Sequence, residues 1–207
     1  MAEVLKGCRI VPVVAVADAD HAVPLAEALL EGGITAIEIT LRTEAGLRAI
    51  ANVAKALPEM TVGVGTVTTP DHVRASEDAG AQFLVSPALG PDLQRALLDS
   101  SLPALPGTAS PTEAFSAWEA GFTHLKLFPA GAVGGVALLK GMNAPLPMLQ
   151  FMPTGGVRLG NMLDYLALPN VYAVGGTWIA TSDAIASGQF DQIARNAREA
   201  VERAASL

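Results

Sequence analysis

Cysteine is almost missing from this chain. Cys8 is the one thiol in 207 residues. No intrachain disulfide is therefore possible, and a cytoplasmic address is the expectation. Cys8 opens a β-rich run and reads as a small core residue rather than a nucleophile. Aromatic residues make up 5% and charged residues 16%. The charges are 13 basic against 20 acidic, a formal net of −7 with no basic run, which argues against nucleic acid as a partner. No stretch reaches the roughly 18 uninterrupted apolar residues of a membrane span. Lys6 and Arg9 precede an apolar run from Ile10 to Ala17, but Pro12 interrupts it and Asp18 and Asp20 follow. That pattern reads as a first strand, not a signal peptide. The three histidines, His21, His72 and His124, lack metal-ligand spacing, and there are no paired cysteines and no dense aspartate cluster. A bound metal is not expected.

What is abundant is apolar: 51% of residues, with a mean hydropathy of +0.40. That excludes a disordered chain. Alanine-rich helices, a sheet buried on both faces and a subunit interface would together account for it. Short β-rich runs alternate with helical patterns. Strands are expected at 9–16, 36–40, 61–64, 83–86, 104–105, 124–128, 149–152 and 171–174. Helices are expected at about 20–31, 44–57, 70–79, 91–100, 111–120, 133–142, 159–166 and 190–205. Pro70, Pro91 and Pro111 mark first helical turns, and Gly32-Gly33, Gly80 and Gly121 mark helix ends. Eight βα units in a chain of this length predict an α/β fold, a single (β/α)8 TIM barrel spanning residues 1–207 as one domain. A doubly wound open sheet is the alternative. There is no linker and no low-complexity segment.

Chemistry in a barrel belongs at the C-terminal ends of its strands, and those positions here are polar or glycine-rich. Lys126 stands out within His124-Leu125-Lys126-Leu127-Phe128-Pro129. Burying an ammonium without a partner is strongly unfavourable, and a buried lysine that sheds its proton becomes a nucleophile toward carbonyls. The competing reading is a packed stem with its head in solvent. Strand alternation places Glu38, Thr40 and Arg42 on one side. Glu38 suits a general acid/base, or else a structural ion pair with Arg42 or Lys126. The planar fork of Arg42 suits a carboxylate, unless it is a surface arginine opening the next helix. The Thr66 hydroxyl follows a tight glycine exit and suits the same carboxylate or a helix cap. Gly155-Gly156 after strand seven and Gly175-Gly176-Thr177 after strand eight fit an anion site built from backbone amides, or ordinary turns. His124 shares the parity of Lys126 and reads as a core or polar-layer residue.

Taken in order, Glu38-Ile39-Thr40-Leu41-Arg42-Thr43, Gly63-Val64-Gly65-Thr66-Val67, Val85-Ser86-Pro87, Lys126-Leu127-Phe128-Pro129-Ala130 and Pro153-Thr154-Gly155-Gly156-Val157 closely resemble the 2-keto-3-deoxy-6-phosphogluconate (KDPG) and 4-hydroxy-2-oxoglutarate (KHG) aldolases of class I. The resemblance covers nearly the whole chain. It implies a homotrimer of (β/α)8 barrels without metal or other cofactor. It implies that Lys126 forms a Schiff base with pyruvate and that Glu38 is the acid/base. Arg42, Thr66 and Thr154 would hold the pyruvate carboxylate or neighbouring oxygens. Pro87 and Phe128 would line the pocket, and Gly155, Gly156, Gly176 and Thr177 would bind the substrate phosphate. Val64 stands where alanine is usual, Ala88 where glycine is usual, Gly131 where glutamate is frequent and Thr177 where serine is usual. None of these removes a catalytic group.

The implied reaction is the reversible cleavage of a phosphorylated 2-keto-3-deoxy acid to pyruvate and D-glyceraldehyde 3-phosphate. Rivals of the same chemistry act on the phosphogalactonate epimer, 4-hydroxy-2-oxoglutarate or another anionic analogue. Rivals of other classes are a phosphate-binding barrel isomerase and a non-catalytic barrel used as an assembly scaffold.

Overall fold

The computed structural model describes Met1 and residues 3–207. Strands and helices alternate along the chain: β1 (Ile10–Val14), α1 (Ala22–Glu31), β2 (Ala36–Thr40), α2 (Gly46–Ala56), β3 (Thr61–Gly65), α3 (Pro70–Asp78), β4 (Phe83–Val85) and α4 (Pro91–Asp99). There follow β5 (Ala104–Leu105), β6 (Gly107–Thr108), α5 (Pro111–Glu119), β7 (His124–Leu127), α6 (Gly135–Asn143), β8 (Gln150–Pro153), α7 (Met162–Leu166), β9 (Val174–Gly176), α8 (Ser182–Ala186) and α9 (Phe190–Ala204).

All strand pairings are parallel. They form a curled six-stranded sheet, in the order β5-β4-β3-β2-β1-β9, and a three-stranded sheet, β6-β7-β8. Among the described residues the expected eight-strand rhythm appears as nine short strands in two sheets, with Pro106 at one seam. The expected fifth strand, 104–105, stands as β5 and pairs with β4. Pro106, which has no N–H to donate, follows it, and β6, a strand outside the expected eight, pairs with β7 beyond it. The Pro106 carbonyl still accepts from Lys126 N–H at 2.9 Å. At the other seam, β8 meets the segment leading into β9 through two isolated bridges, Phe151 with Val171 and Thr154 with Gly175. The eighth strand begins later than expected, at Val174, and the short helix α8 had no strong sequence signal.

β1 and β2 are buried at every position, as strands covered on both faces must be. Alternation divides them between two cores. Ile10, Val14, Ile37 and Ile39 join the large cluster under the helices, while Val11 and Ala36 join a smaller one on the opposite face with Phe83, Val85, Leu105 and Met152. Each fully buried side chain of this size contributes about 1.5–3 kcal/mol. The stripe Ile193, Ala194, Ala197, Ala200 and Ala204 seats α9 against α1. Gly32 makes that approach possible, because a Cβ there would lie 2.3 Å from the Ala197 Cβ.

The helix starts follow their caps. Thr69 Oγ1 accepts from His72 N–H at 3.2 Å, and Ser110 Oγ from Glu113 N–H at 3.3 Å. Each cap satisfies an amide that the helix leaves free. Pro70, Pro91 and Pro111 open α3, α4 and α5. Among the described residues, no helix is long and apolar enough to cross a membrane.

Candidate active site

Glu38 lies at the middle of β2, facing Val13 of β1 and Gly63 of β3. Lys126 holds the corresponding place in β7, facing Gly107 and Met152. Both side chains point to one interior, and Lys126 Nζ donates to Glu38 Oε1 at 3.0 Å. The lysine side chain is 6% exposed and the carboxylate 0%. A buried pair of this kind is weak evidence for stability, because desolvation offsets the Coulombic gain unless every remaining site is bonded. Here Glu38 Oε2 is buried with no partner. The pair therefore adds little to holding the fold together.

Glycine makes the space. A Cβ on Gly65 would sit 2.2 Å from Glu38 Oε1, and one on Gly107 would meet the Pro87 carbonyl at 2.3 Å. Above the pair opens a cavity of about 240 Å³. The eleven residues singled out in the sequence line it together: Glu38, Arg42, Thr66, Pro87, Lys126, Phe128, Thr154, Gly155, Gly156, Gly176 and Thr177. Val13, Thr40 and Val157 line it as well. Strand parity from Val11 would have found Val13.

Thr40 links the wall to the scaffold. Its hydroxyl donates to Val14 C=O at 2.9 Å and accepts from Arg42 Nε at 3.1 Å. Arg42 is thus fixed by one nitrogen at the cavity rim, and its remaining donors are available to an anion. Phe128 stands with its ring centroid 5.3 Å from Lys126 Nζ, a cation–π distance. Thr66 has φ +63°, a conformation that β-branched residues rarely adopt. Strain of this kind gathers at functional sites. Thr154 Oγ1 is buried without a partner. It occupies the space left by Gly175, whose Cβ would be 2.3 Å away.

The two glycine segments differ from each other. Gly155 and Gly156 form a true exit loop, with φ +89° and +84°. The loop is pinned by Gly131 N–H donating to Gly155 C=O at 2.8 Å and by Asn161 Nδ2 donating to Gly156 C=O at 3.1 Å. Gly175 and Gly176 instead belong to β9. Only Thr177 lies beyond the strand, which corrects the reading of all three as a loop. Gly176 has its own reason to lack a side chain, since a Cβ would overlap the Trp178 ring at 1.9 Å.

Two titratable groups lie near the pair. His124 is half-buried, and burial, then the amino-terminal ammonium, lowers its pKa. Tyr172 carried no flag in the sequence. Burial, then the charge on Glu38, holds its phenol well above the usual range. Among the described residues no three His, Cys, Asp or Glu side chains converge as a metal-binding group.

Parallel strands carrying a buried lysine against a carboxylate, beneath an arginine and a glycine loop, define a lyase that works on carbonyl compounds through an amine. The chain belongs to the KDPG and KHG aldolase family, whose model matches residues 1–196. It is 46% identical over 198 residues to the 2-dehydro-3-deoxy-phosphogluconate aldolase of Pseudomonas aeruginosa, covering 96% of this chain and 90% of that protein. It is 43% identical over 195 residues to the KHG/KDPG aldolase of Escherichia coli, covering 94% and 92%. The KDPG aldolase of Legionella pneumophila, solved with pyruvate captured at low pH as a covalent carbinolamine, superposes with a TM-score of 0.91 at 37% identity, covering 94% of this chain and 95% of that one.

Proposed function

We propose that this enzyme reversibly cleaves 2-dehydro-3-deoxy-6-phosphogluconate to pyruvate and D-glyceraldehyde 3-phosphate through a Schiff base on Lys126. The observation that carries the reading is the buried contact of Lys126 Nζ with Glu38 Oε1 at 3.0 Å, at the floor of a cavity walled by Arg42, Thr66 and Thr154. Glu38 takes a proton from Lys126, and the free amine adds to the C2 carbonyl to give a carbinolamine. Glu38 returns that proton to the carbinolamine hydroxyl, which leaves as water and gives an iminium, and the carboxylate is free again. Glu38, directly or through water, then removes the C4 hydroxyl proton. The C3–C4 bonding pair moves into the iminium, C4 becomes the aldehyde carbon, and an enamine of pyruvate remains on Lys126. Protonation at C3 and attack by water release pyruvate and restore the amine.

Arg42, with Thr66 and Thr154, serves the substrate carboxylate and neighbouring oxygens. A guanidinium fork binds a carboxylate through two bonds, and Thr40 already sets its orientation. Pro87 and Phe128 are the apolar walls against the pyruvate carbons. Gly155, Gly156, Gly176 and Thr177 serve the phosphate, for which backbone amides at a positive-φ loop are well suited.

Residues 1–207 act as one domain, and the two sheets act as a single closed (β/α)8 barrel, a reading supported by the contacts across both seams. The enzyme works as a homotrimer in the cytoplasm. In support of assembly, the Phe115 and Trp118 rings lie 5.6 Å apart and are 40% and 37% exposed. Phe115 lines a groove together with Leu138, Met142 and Leu146. Exposed apolar surface of this extent marks interfaces.

Borohydride reduction in the presence of pyruvate tests the reaction. A pyruvate adduct should form on Lys126 and be absent in Lys126→Ala. Folded protein that gives no adduct would overturn the proposal. The Escherichia coli relative is named for a second substrate, and this favours a side activity on 4-hydroxy-2-oxoglutarate. In a kcat/KM panel, the phosphorylated substrate should lead by a large factor. Equal rates would remove the phosphate role from the glycine loop.

A further inference from the structure

β8 and the segment entering β9 touch at Phe151 with Val171 and again at Thr154 with Gly175. Residues 172–174 therefore stand opposite residues 152–153, three against two. The extra residue makes this a bulge, which re-aims side chains and occurs often beside active sites. Its effect shows in the packing. Val171 and Val174 both join the core under the helices, whereas Tyr172 and Ala173 both pack with the inner cluster. Regular alternation would send only one of two consecutive residues inward. The bulge thus delivers a tyrosine into the interior that holds Glu38 and Lys126.

The Tyr172 ring stands edge-on to His124, with centroids 5.2 Å apart and planes at 71°. His124 precedes Lys126 by two residues on β7, so the tyrosine packs on the face that carries the reactive amine. The Tyr172 hydroxyl and Glu38 Oε2 are both buried, and neither has a hydrogen-bond partner. Tyr172 packs beside Val11, Phe83 and Met152, and two orphaned polar atoms in one interior are a costly arrangement unless something joins them. A buried water needs two to four polar partners, and these two atoms provide a matched set: a donor and a carboxylate oxygen. The raised pKa of the phenol, from burial and then the Glu38 charge, keeps it a donor across the working range. The titratable groups around this chamber are Glu38 from β2, Lys126 and His124 from β7, and Cys8 with the chain's amino terminus at the far end.

We propose that Tyr172 is a positioning residue for the Lys126 reaction: through one internal water its hydroxyl holds Oε2 of Glu38, leaving Oε1 to exchange protons with the amine and the substrate. The inference rests on the Schiff-base reading above. Tyr172→Phe in the full chain keeps the ring and removes the hydroxyl. Loss of a hydrogen bond to the charged carboxylate favours its protonated form, so the acid limb of the kcat profile should move up by about one pH unit. On the plateau above that limb, the loss of orientation at Glu38 should lower kcat roughly tenfold with little change in KM, while pyruvate still traps on Lys126. Fluorotyrosine at position 172, in a Tyr165→Phe background, keeps the hydroxyl and makes it a stronger donor, so the limb should move down. Acid limbs that stay in place in both variants would overturn the role of Tyr172. If the parent enzyme fails to trap pyruvate, the Schiff-base reading falls and takes this one with it. A parent that traps, with unmoved limbs in the variants, removes only the Tyr172 inference.

Discussion

Glu38→Gln keeps the size of a fully buried side chain and deletes its charge. The variant should fold, bind substrate and lose about 10²- to 10⁴-fold in kcat, as read by coupled assay of pyruvate release. Gly65→Ala reaches the same group sterically. Its new methyl would fall 2.2 Å from Glu38 Oε1, so the carboxylate must swing away, and kcat should fall much more than KM changes. His124 gives a prediction about pH. Burial, then the amino-terminal charge, lowers its folded pKa below the usual 6.5. The unfolded chain therefore takes up this proton first as pH falls. The stability tied to neutral His124 is full above about pH 6.5 and is lost on descent through that value toward the lower folded pKa. Thermal melts of His124→Phe between pH 7.5 and 5 should show a shallower loss of Tm than the parent.

At the scale of elements, the caps make the plainest stability forecast. Thr69→Ala and Ser110→Ala each remove a side-chain acceptor for a first-turn amide and should lower stability by about 1 kcal/mol in denaturant titrations. These helix starts were legible in the sequence because cap and proline chemistry is local. The strand positions of Glu38 and Lys126 were legible for a similar reason, since alternation and the βα rhythm need only a few neighbouring residues. The extra strand β6 was harder to see. Pro106 was visible, but the pairing of Gly107 and Thr108 with Lys126 and Leu127 depends on a strand beyond the next helix. The bulge before β9 was invisible, because it arises from the register between two strands and leaves no mark on composition. For that reason Tyr172 escaped notice, and the Gly175-Gly176 pair was read as a loop when it is strand.

For the molecule as a whole, the exposed Phe115–Trp118 pair makes assembly testable without disturbing chemistry. On the proposed trimeric assembly, Phe115→Asp combined with Trp118→Asp should lower the light-scattering mass toward that of a monomer, while Lys126 keeps its borohydride-trapped adduct. Unchanged mass would place the interface elsewhere. The backbone at Thr66 has a further global consequence. Its φ of +63° is held by surrounding structure at a strain of about 1–2 kcal/mol, of the order of a tenth or more of the net stability of a domain. On the role proposed for Thr66, thermostability and turnover are set against each other at this one position. Selection for heat resistance alone should be drawn to Thr66→Gly, which relaxes the backbone and discards the hydroxyl at the cavity wall. Selection for turnover should keep the threonine and seek its heat resistance in the helices instead.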